Sequence, residues 1–305
     1  MKQISIGIYH YPNALKSSVY GLEELFLMAN RVCEEQSVAV RFITSLVFGC
    51  NEEKQPFDLI LLPPAMDSGF YLQPDKEVLN WLRQQHSQGS VLASACAGAF
   101  ILASAGVIKG RTVTTHWGLQ ELFQQEFPEE KPDANKILID HGDIISAGGM
   151  MSWLDLGLEL VARYTSPSVM RQVGKILVVD TAPREQRYYQ QFTPSFQHGD
   201  HAIIQLQQWL SSHLQQPVQV SELAEKANMT ERTLQRRFKK ATGLNPNQYL
   251  QRLRVQKACD LLETTKLSFE VITSQIGYED ATASRKVFVK VMGLTPVAFR
   301  RRFSL

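Results

Sequence analysis

Absences narrow the field first. No run of apolar residues approaches the ~20 that a membrane-spanning helix needs. Residues 1–10 read as a charged start leading straight into a strand, without the order of a secretory leader. A cytoplasmic protein is the expectation. Cysteine is scarce: Cys33, Cys50, Cys96 and Cys259 lie far apart and form no CxxC pair, so neither a disulfide framework nor a zinc site is suggested and reduced thiols are the default. GxGxxG turns, Walker-type loops and metal-spaced His/Asp/Glu groups are all missing, which leaves no support for a nucleotide cofactor or a metal.

What is present has the balance of a globular chain, 44% hydrophobic and 20% charged, and its 305 residues suggest two domains. The net charge of +2 conceals a division. Residues 203–305 hold 16 Lys and Arg against 8 Asp and Glu, whereas residues 1–202 hold 16 against 22. A basic module joined to an acidic one is the electrostatic footprint of a nucleic-acid binder attached to something else. The expected boundaries are a first domain over 1–190, a linker over 191–202 rich in Gln, Pro, His and Gly, and a second domain over 203–305.

In the first domain, residues 4–9, 38–44 and 57–62 are short apolar runs ending in turn signals, and residues 19–33 keep helical spacing through Leu22, Leu25, Phe26 and Ala29. Strands alternating with helices predict an α/β layer fold with a mostly parallel, flavodoxin-like sheet and helices on both faces. Residues 91–95 form another small apolar strand, Cys96 follows at once, and a helix of small residues comes next. Ser94 and Gly98 flank Cys96 at a spacing of two, the pattern of a nucleophile elbow, where a tight strand-to-helix turn leaves the central side chain at a helix N-terminus. That place should lower a thiol's pKa, and His116 could pair with it. Two readings stay open: a reactive thiol with an imidazole partner, or a small buried residue and a satisfied core histidine. Asp155, in the apolar helix over 153–164, likewise either touches a ligand or stabilises a helix N-terminus.

These segments resemble the PfpI-like, class I glutamine amidotransferase-like superfamily over residues 3–185. The likeness rests on residues 94–100, on Ala105-Gly106-Val107 with Gly110-Arg111, on Thr115-His116-Trp117, and on Ala147-Gly148-Gly149 leading into residues 154–158. The resemblance implies that an acidic residue from the first strand-to-helix turn approaches the elbow cysteine. Here Ser18 stands in that place, with Glu23 and Glu24 as substitutes on a helix face, and a hydroxyl cannot act as a carboxylate base at neutral pH. No catalytic residue is therefore assigned; Cys96 and His116 remain a candidate thiol site. Ser18, Cys96, Ala97, His116 and Gly149 are expected to line a small-molecule site instead.

The second domain says the same thing twice. Shifted by 50 positions, Phe238 falls on Phe288, Gly243 on Gly293, Leu244 on Leu294 and Pro246 on Pro296; upstream of Thr230 the offset is 49, so that Leu223 meets Ile272 and Met229 meets Tyr278. One extra residue must lie in the turn before the second copy's long helix, as in two helix-turn-helix units with unequal turns. Thr230 and Asp280 are the expected N-caps of the two recognition helices. On the first, Arg232, Gln235, Arg236 and Lys239 share a face opposite Leu234 and Phe238, and Arg and Gln side chains can pair bidentately with guanine and adenine. In the second copy Ser284 takes the place of core Leu234 and residues 281–283 offer few hydrogen-bonding groups, so Arg285, Lys286 and Lys290 are expected to anchor through phosphates. A helix over 246–263 should hold the two heads ~34 Å apart, one helical turn of DNA.

Residues 203–303 resemble the AraC/XylS family closely, through residues 229–234, Arg236-Arg237-Phe238-Lys239, residues 243–246, Arg254, Ala258, Leu261-Leu262, Ile276-Gly277-Tyr278, Phe288 and residues 293–296. The resemblance places base contacts on Arg232, Gln235 and Arg236 in the first helix and on Ala281, Thr282 and Lys286 in the second. The whole chain resembles the GlxA-like branch. That implies a homodimeric, sequence-specific activator that binds promoter DNA, meets RNA polymerase and responds to a small metabolite, amino-acid or amine-derived. The alternative is a cysteine-dependent hydrolase or amidotransferase-like enzyme with a DNA-binding tail.

Overall fold

The structure, a computed structural model, describes residues 1–49 and 56–304, so that Cys50 lies outside the described residues. It divides into two compact units, Met1–Gln186 and Arg187–Leu305.

The first unit runs β1 (Lys2–Tyr9), α1 (Lys16–Glu35), β2 (Val40–Val47), β3 (Leu59–Leu62), α2 (Gly69–Leu72), α3 (Lys76–Ser87), β4 (Val91–Ala95), α4 (Gly98–Ser104), β5 (Thr112–Val113), α5 (Gln120–Glu126), β6 (Lys131–Pro132), β7 (Leu138–Asp140), β8 (Ile144–Ala147), α6 (Trp153–Tyr164) and α7 (Pro167–Leu177). Six strands form one sheet in the order β2-β1-β3-β4-β8-β7, parallel except for the edge pair β7–β8; β5 and β6 pair separately. Every residue of β3 and β8 is buried, which is why β3 is a continuous apolar run and β8 does not alternate, its one polar residue being the small Ser146. α1, α6 and α7 pack on one another, and α2 and α4 form a second group. Because β1, β3, β4 and β8 run the same way, their carboxyl ends converge, the place where open α/β sheets bind ligands.

The β2 edge is closed by a side chain. Asn30 of α1 donates from Nδ2 to the Phe42 carbonyl at 2.8 Å and accepts from the Phe42 N–H at 2.7 Å, so one amide imitates a neighbouring strand on the side of Phe42 facing away from β1.

The second unit is helical: α8 (His201–Ser212), α9 (Val220–Lys226), α10 (Glu231–Thr242), α11 (Pro246–Thr264), α12 (Phe269–Gln275), α13 (Ala281–Met292) and α14 (Pro296–Phe303). The duplication is visible in the punctuation. Thr230 and Asp280 cap α10 and α13, Gly243 and Gly293 end them at a left-handed φ of 73° each, and Pro246 and Pro296 open the helices that follow. In copy one three residues separate α9 from the cap, Ala227, Asn228 and Met229; in copy two there are Ile276, Gly277, Tyr278 and Glu279. Asn228 and Gly277 are the left-handed residues of these turns, so Glu279 is the extra residue. Leu223, Leu234, Phe238 and Tyr249 form one core, and Leu262, Ile272, Phe288 and Phe299 the other, with α11 contributing to both.

The segment expected as a linker is packed on this unit. The Phe192 ring meets Tyr249 edge-on with centroids 5.2 Å apart, its N–H donates to Gln256 Oε1 at 2.8 Å, and the Ser195 carbonyl accepts from Gln207 Nε2 at 3.1 Å. Just before it, the Arg302 guanidinium lies over the Tyr188 and Tyr189 rings. Aromatic side chains anchor a stretch whose polar composition suggested a free connection.

Candidate functional site

Cys96 sits at the carboxyl end of β4 with φ of 54°, a strained backbone for a residue with a Cβ. Its neighbours over-determine that conformation. The Cys96 N–H donates to the Ala147 carbonyl at 2.8 Å, and Thr115 Oγ1 donates to the Cys96 carbonyl at 2.9 Å. Only glycine fits at position 98, where a Cβ would stand 2.6 Å from the Leu62 carbonyl oxygen. The elbow expected from the spacing is therefore built.

Its chemistry is not the one expected. Cys96 is 3% exposed, and burial pushes its thiol up to about 12 against the lowering effect of backbone N–H groups of Ala97 and His116. The expectation of a depressed pKa is corrected: desolvation outweighs the favourable position, and the sulfur is a protonated thiol at neutral pH. His116 reaches the sulfur through its backbone. Its ring accepts from the Gly118 N–H at Nδ1, 3.0 Å away, and burial lowers its pKa. Among the described residues no carboxylate is among the groups acting on the thiol; the thiol itself acts on the phenols of Tyr11 and Tyr71. Both phenols are raised, by burial first and Cys96 next, and Tyr11 donates to the Pro63 carbonyl.

Ser18 lies fully buried in the first turn of α1, and its Oγ has no hydrogen-bond partner among the described residues; the same holds for Ser94 Oγ on β4. Glu23 is half-buried and Glu24 exposed. Gly149 has φ of 97°, and at its neighbour Gly148 a Cβ would fall 2.1 Å from Gln186 Nε2 and 2.7 Å from the Thr115 carbonyl oxygen. Asp155 lies in the first turn of α6, where Arg184 grips it with a two-bond fork of 2.9 and 2.6 Å.

Gln186 is the residue that sequence reasoning missed. Fully buried, it donates from Nε2 to the carbonyls of Thr115 (2.9 Å) and Lys136 (3.2 Å) and accepts the Trp117 N–H at 2.7 Å. Thr115 thus holds Cys96 with its hydroxyl and Gln186 with its carbonyl. Nothing in the polar sequence around Gln186 distinguishes it from its neighbours.

In the second unit Leu234 and Phe238 are buried, and Arg232, Gln235, Arg236 and Lys239 are exposed on the other side of α10, their side chains in no hydrogen bond or ion pair among the described residues. Thr230 Oγ1 accepts from the Thr233 N–H to start the helix. Arg237, between these residues, turns away and forks onto Asp200 at 2.9 and 2.7 Å. On α13, Ala281 is half-buried, Thr282, Lys286 and Lys290 are exposed, and Ser284 is buried. Arg285, expected to anchor through phosphates, is exposed and also has neighbours of its own. Its Nη2 lies 3.3 Å from Glu270 Oε1, and its guanidinium lies beside the Phe269 ring. Among the described residues no helix is long and apolar enough to cross a membrane, and no group of three or more His, Cys, Asp or Glu side chains could hold a metal ion.

Comparison with known proteins matches each unit to a family. The DJ-1/PfpI family model matches residues 31–163 and a helix-turn-helix domain model residues 223–302. The HTH-type transcriptional regulator CdhR of Pseudomonas aeruginosa is 30% identical over 203 residues, covering 66% of this chain and 60% of that protein. The HTH-type transcriptional regulator GbdR of the same species is 25% identical over 223 residues, 72% of this chain and 60% of that one. The chain thus spans about 60% of the length of these curated relatives. A crystal structure of a protein from Vibrio parahaemolyticus shares the α/β fold, with a TM-score of 0.50 and 18% identity over 58% of this chain and 100% of that one. The chain is thus similar to HTH-type transcriptional regulators, with a DJ-1/PfpI family match over residues 31–163 followed by a helix-turn-helix domain match over residues 223–302.

Proposed function

We propose that this chain is a sequence-specific transcription regulator that binds promoter DNA through residues 203–305 and senses a small metabolite through its DJ-1/PfpI domain. The observation that carries the reading is the uncommitted polar face of α10, Arg232, Gln235, Arg236 and Lys239, on a capped helix of a domain matched by a helix-turn-helix model. Such a face can enter a major groove and present donors to guanine and to adenine. Ala281, Thr282 and Lys286 of α13 form the second, weaker head, with Arg285 and Lys290 toward phosphates.

The DJ-1/PfpI domain acts without catalysis in this reading. Support comes from the protonated thiol, on which no carboxylate acts among the described residues, and from relatives that are named as transcriptional regulators. Ser18, Cys96, Ala97, His116 and Gly149 line the effector site, and the unpartnered Ser18 and Ser94 hydroxyls give a ligand polar atoms to satisfy. An amino acid or amine-derived effector, a homodimeric state, activation through RNA polymerase and a cytoplasmic location complete the proposal.

The test is Arg236→Ala in the full-length chain, on a duplex selected by that chain from a random-sequence pool. A bidentate base contact predicts a loss of about 1 to 3 kcal/mol of specific binding. Unchanged affinity in a gel-shift titration removes the assignment.

A further inference from the structure

The two proposed reading heads are joined by one concave surface. A cleft of about 220 Å³ beside α10 includes Gln235, Asn247 and Gln251 in its lining. A larger one, of about 760 Å³, includes Asn247, Gln251, Glu279 and Ala283, and so reaches the first turn of α13. The amides of Asn247 and Gln251, on the exposed side of α11, belong to both. Neither makes a hydrogen bond among the described residues, and both are exposed. DNA that enters one major groove at α10 and the next at α13 must carry its backbone across this stretch of α11.

The charge of the larger cleft is unlike that of a usual phosphate path. Its one basic lining residue is Arg254, which is spent on chain carbonyls: Nε donates to Leu214 at 2.8 Å and Nη2 to Gln216 at 2.8 Å. Asp280 is occupied in capping α13, through the N–H groups of Thr282 and Ala283. Glu279, the residue by which the second turn exceeds the first, adds an exposed carboxylate with no ion-pair partner among the described residues. Coulombic attraction therefore cannot seat a phosphodiester here, whereas amide N–H groups can donate to its oxygens without neutralising it.

From this placement we infer that Asn247 and Gln251 form a DNA-backbone seat between the heads, one that holds phosphodiester oxygens by neutral amide donors and so adds affinity without adding salt dependence. The inference rests on the DNA-binding reading above. A cation that neutralises a phosphate releases counterions and steepens the fall of log K with log salt by about 0.9 per contact, while an amide does not.

The full-length chain is titrated with the pool-selected duplex at several KCl concentrations, as wild type and as the variants Asn247→Ala/Gln251→Ala, Gln251→Lys and Arg236→Ala. Circular dichroism melting confirms that each variant is folded. The double alanine variant should weaken binding about tenfold with an unchanged salt slope, and Gln251→Lys should steepen the slope by about one contact's worth. If the alanines leave affinity unchanged and the lysine leaves the slope unchanged while Arg236→Ala still weakens binding, the seat is overturned and the DNA-binding reading stands. Weakening by the alanines with a shallower slope also overturns it, since the contact is then ionic. If Arg236→Ala has no effect, the assignment of the recognition face falls first.

Discussion

Alkylating the folded chain with iodoacetamide between about pH 7 and about pH 9.5, and following the Cys96 peptide by mass spectrometry, reads the ionisation of the elbow thiol. Burial carries that thiol from an ordinary 9.0 up to about 12. The displacement corresponds to ~4 kcal/mol against the thiolate and leaves about one sulfur in 10⁴ ionised near pH 8, against about one in ten for an unshifted cysteine. Occlusion also slows the reagent, so the informative quantity is the shape of the pH profile and not the absolute rate. The log of the rate should climb by about one per pH unit across the whole range, because the reactive form grows tenfold at each step. A plateau beginning below pH ~8 would mean that the thiolate is already the resting form, and the desolvation argument would be wrong. The same group gives stability a sign. Since the folded pKa is raised, its contribution is complete below about pH 9 and is lost as pH climbs toward about 12, where the unfolded chain has released its proton and the folded one has not. Chemical denaturation midpoints should fall over that window, and less so in Cys96→Ala.

Two other measurements bear on the first unit. Gly98→Ala forces a Cβ to 2.6 Å from the Leu62 carbonyl, so the backbone must shift; a loss of about 1 to 3 kcal/mol in urea denaturation is expected, and a neutral result would show that the elbow is less constrained than its contacts imply. Asp143 is held at about 2, first by the Arg111 hydrogen bond (2.6 Å) and then by His86 (2.8 Å), so its contribution is present above the ordinary carboxylate range and is lost as pH falls from about 4 to about 2. Asp143→Asn should lower stability at neutral pH and flatten the acid limb; an unchanged limb would assign acid unfolding to other carboxylates.

Local patterns carried much of the architecture. Residues 91–95 read as a strand and are β4, the apolar stripe of residues 19–33 lies within α1, and the change of repeat offset from 50 to 49 anticipated the extra residue that proves to be Glu279. What escaped depends on residues brought together from afar. The thiol's position in its turn was legible, but its ionisation is set by burial among side chains such as Tyr11 and Tyr71, which no spacing around Cys96 reveals. The ion pair of Arg285 with Glu270 was not legible either, because Glu270 lies on another helix. Residues 191–202 read as a linker because their composition is polar, while Phe192 and the Ser195 carbonyl supply contacts that hold the stretch on the helical unit.

The amide of Asn30 at the margin of the sheet has a consequence for how copies of this chain can meet. A parallel sheet ending in an eight-residue strand is a template for any extended segment, whether from a second copy or from a chain still folding. Here a newcomer would have to displace both hydrogen bonds at Phe42 and leave the Asn30 amide without partners beside a half-buried helix face. Growth of the sheet from molecule to molecule is thus obstructed at this edge, where one side chain does the work that a covering strand would otherwise have to do.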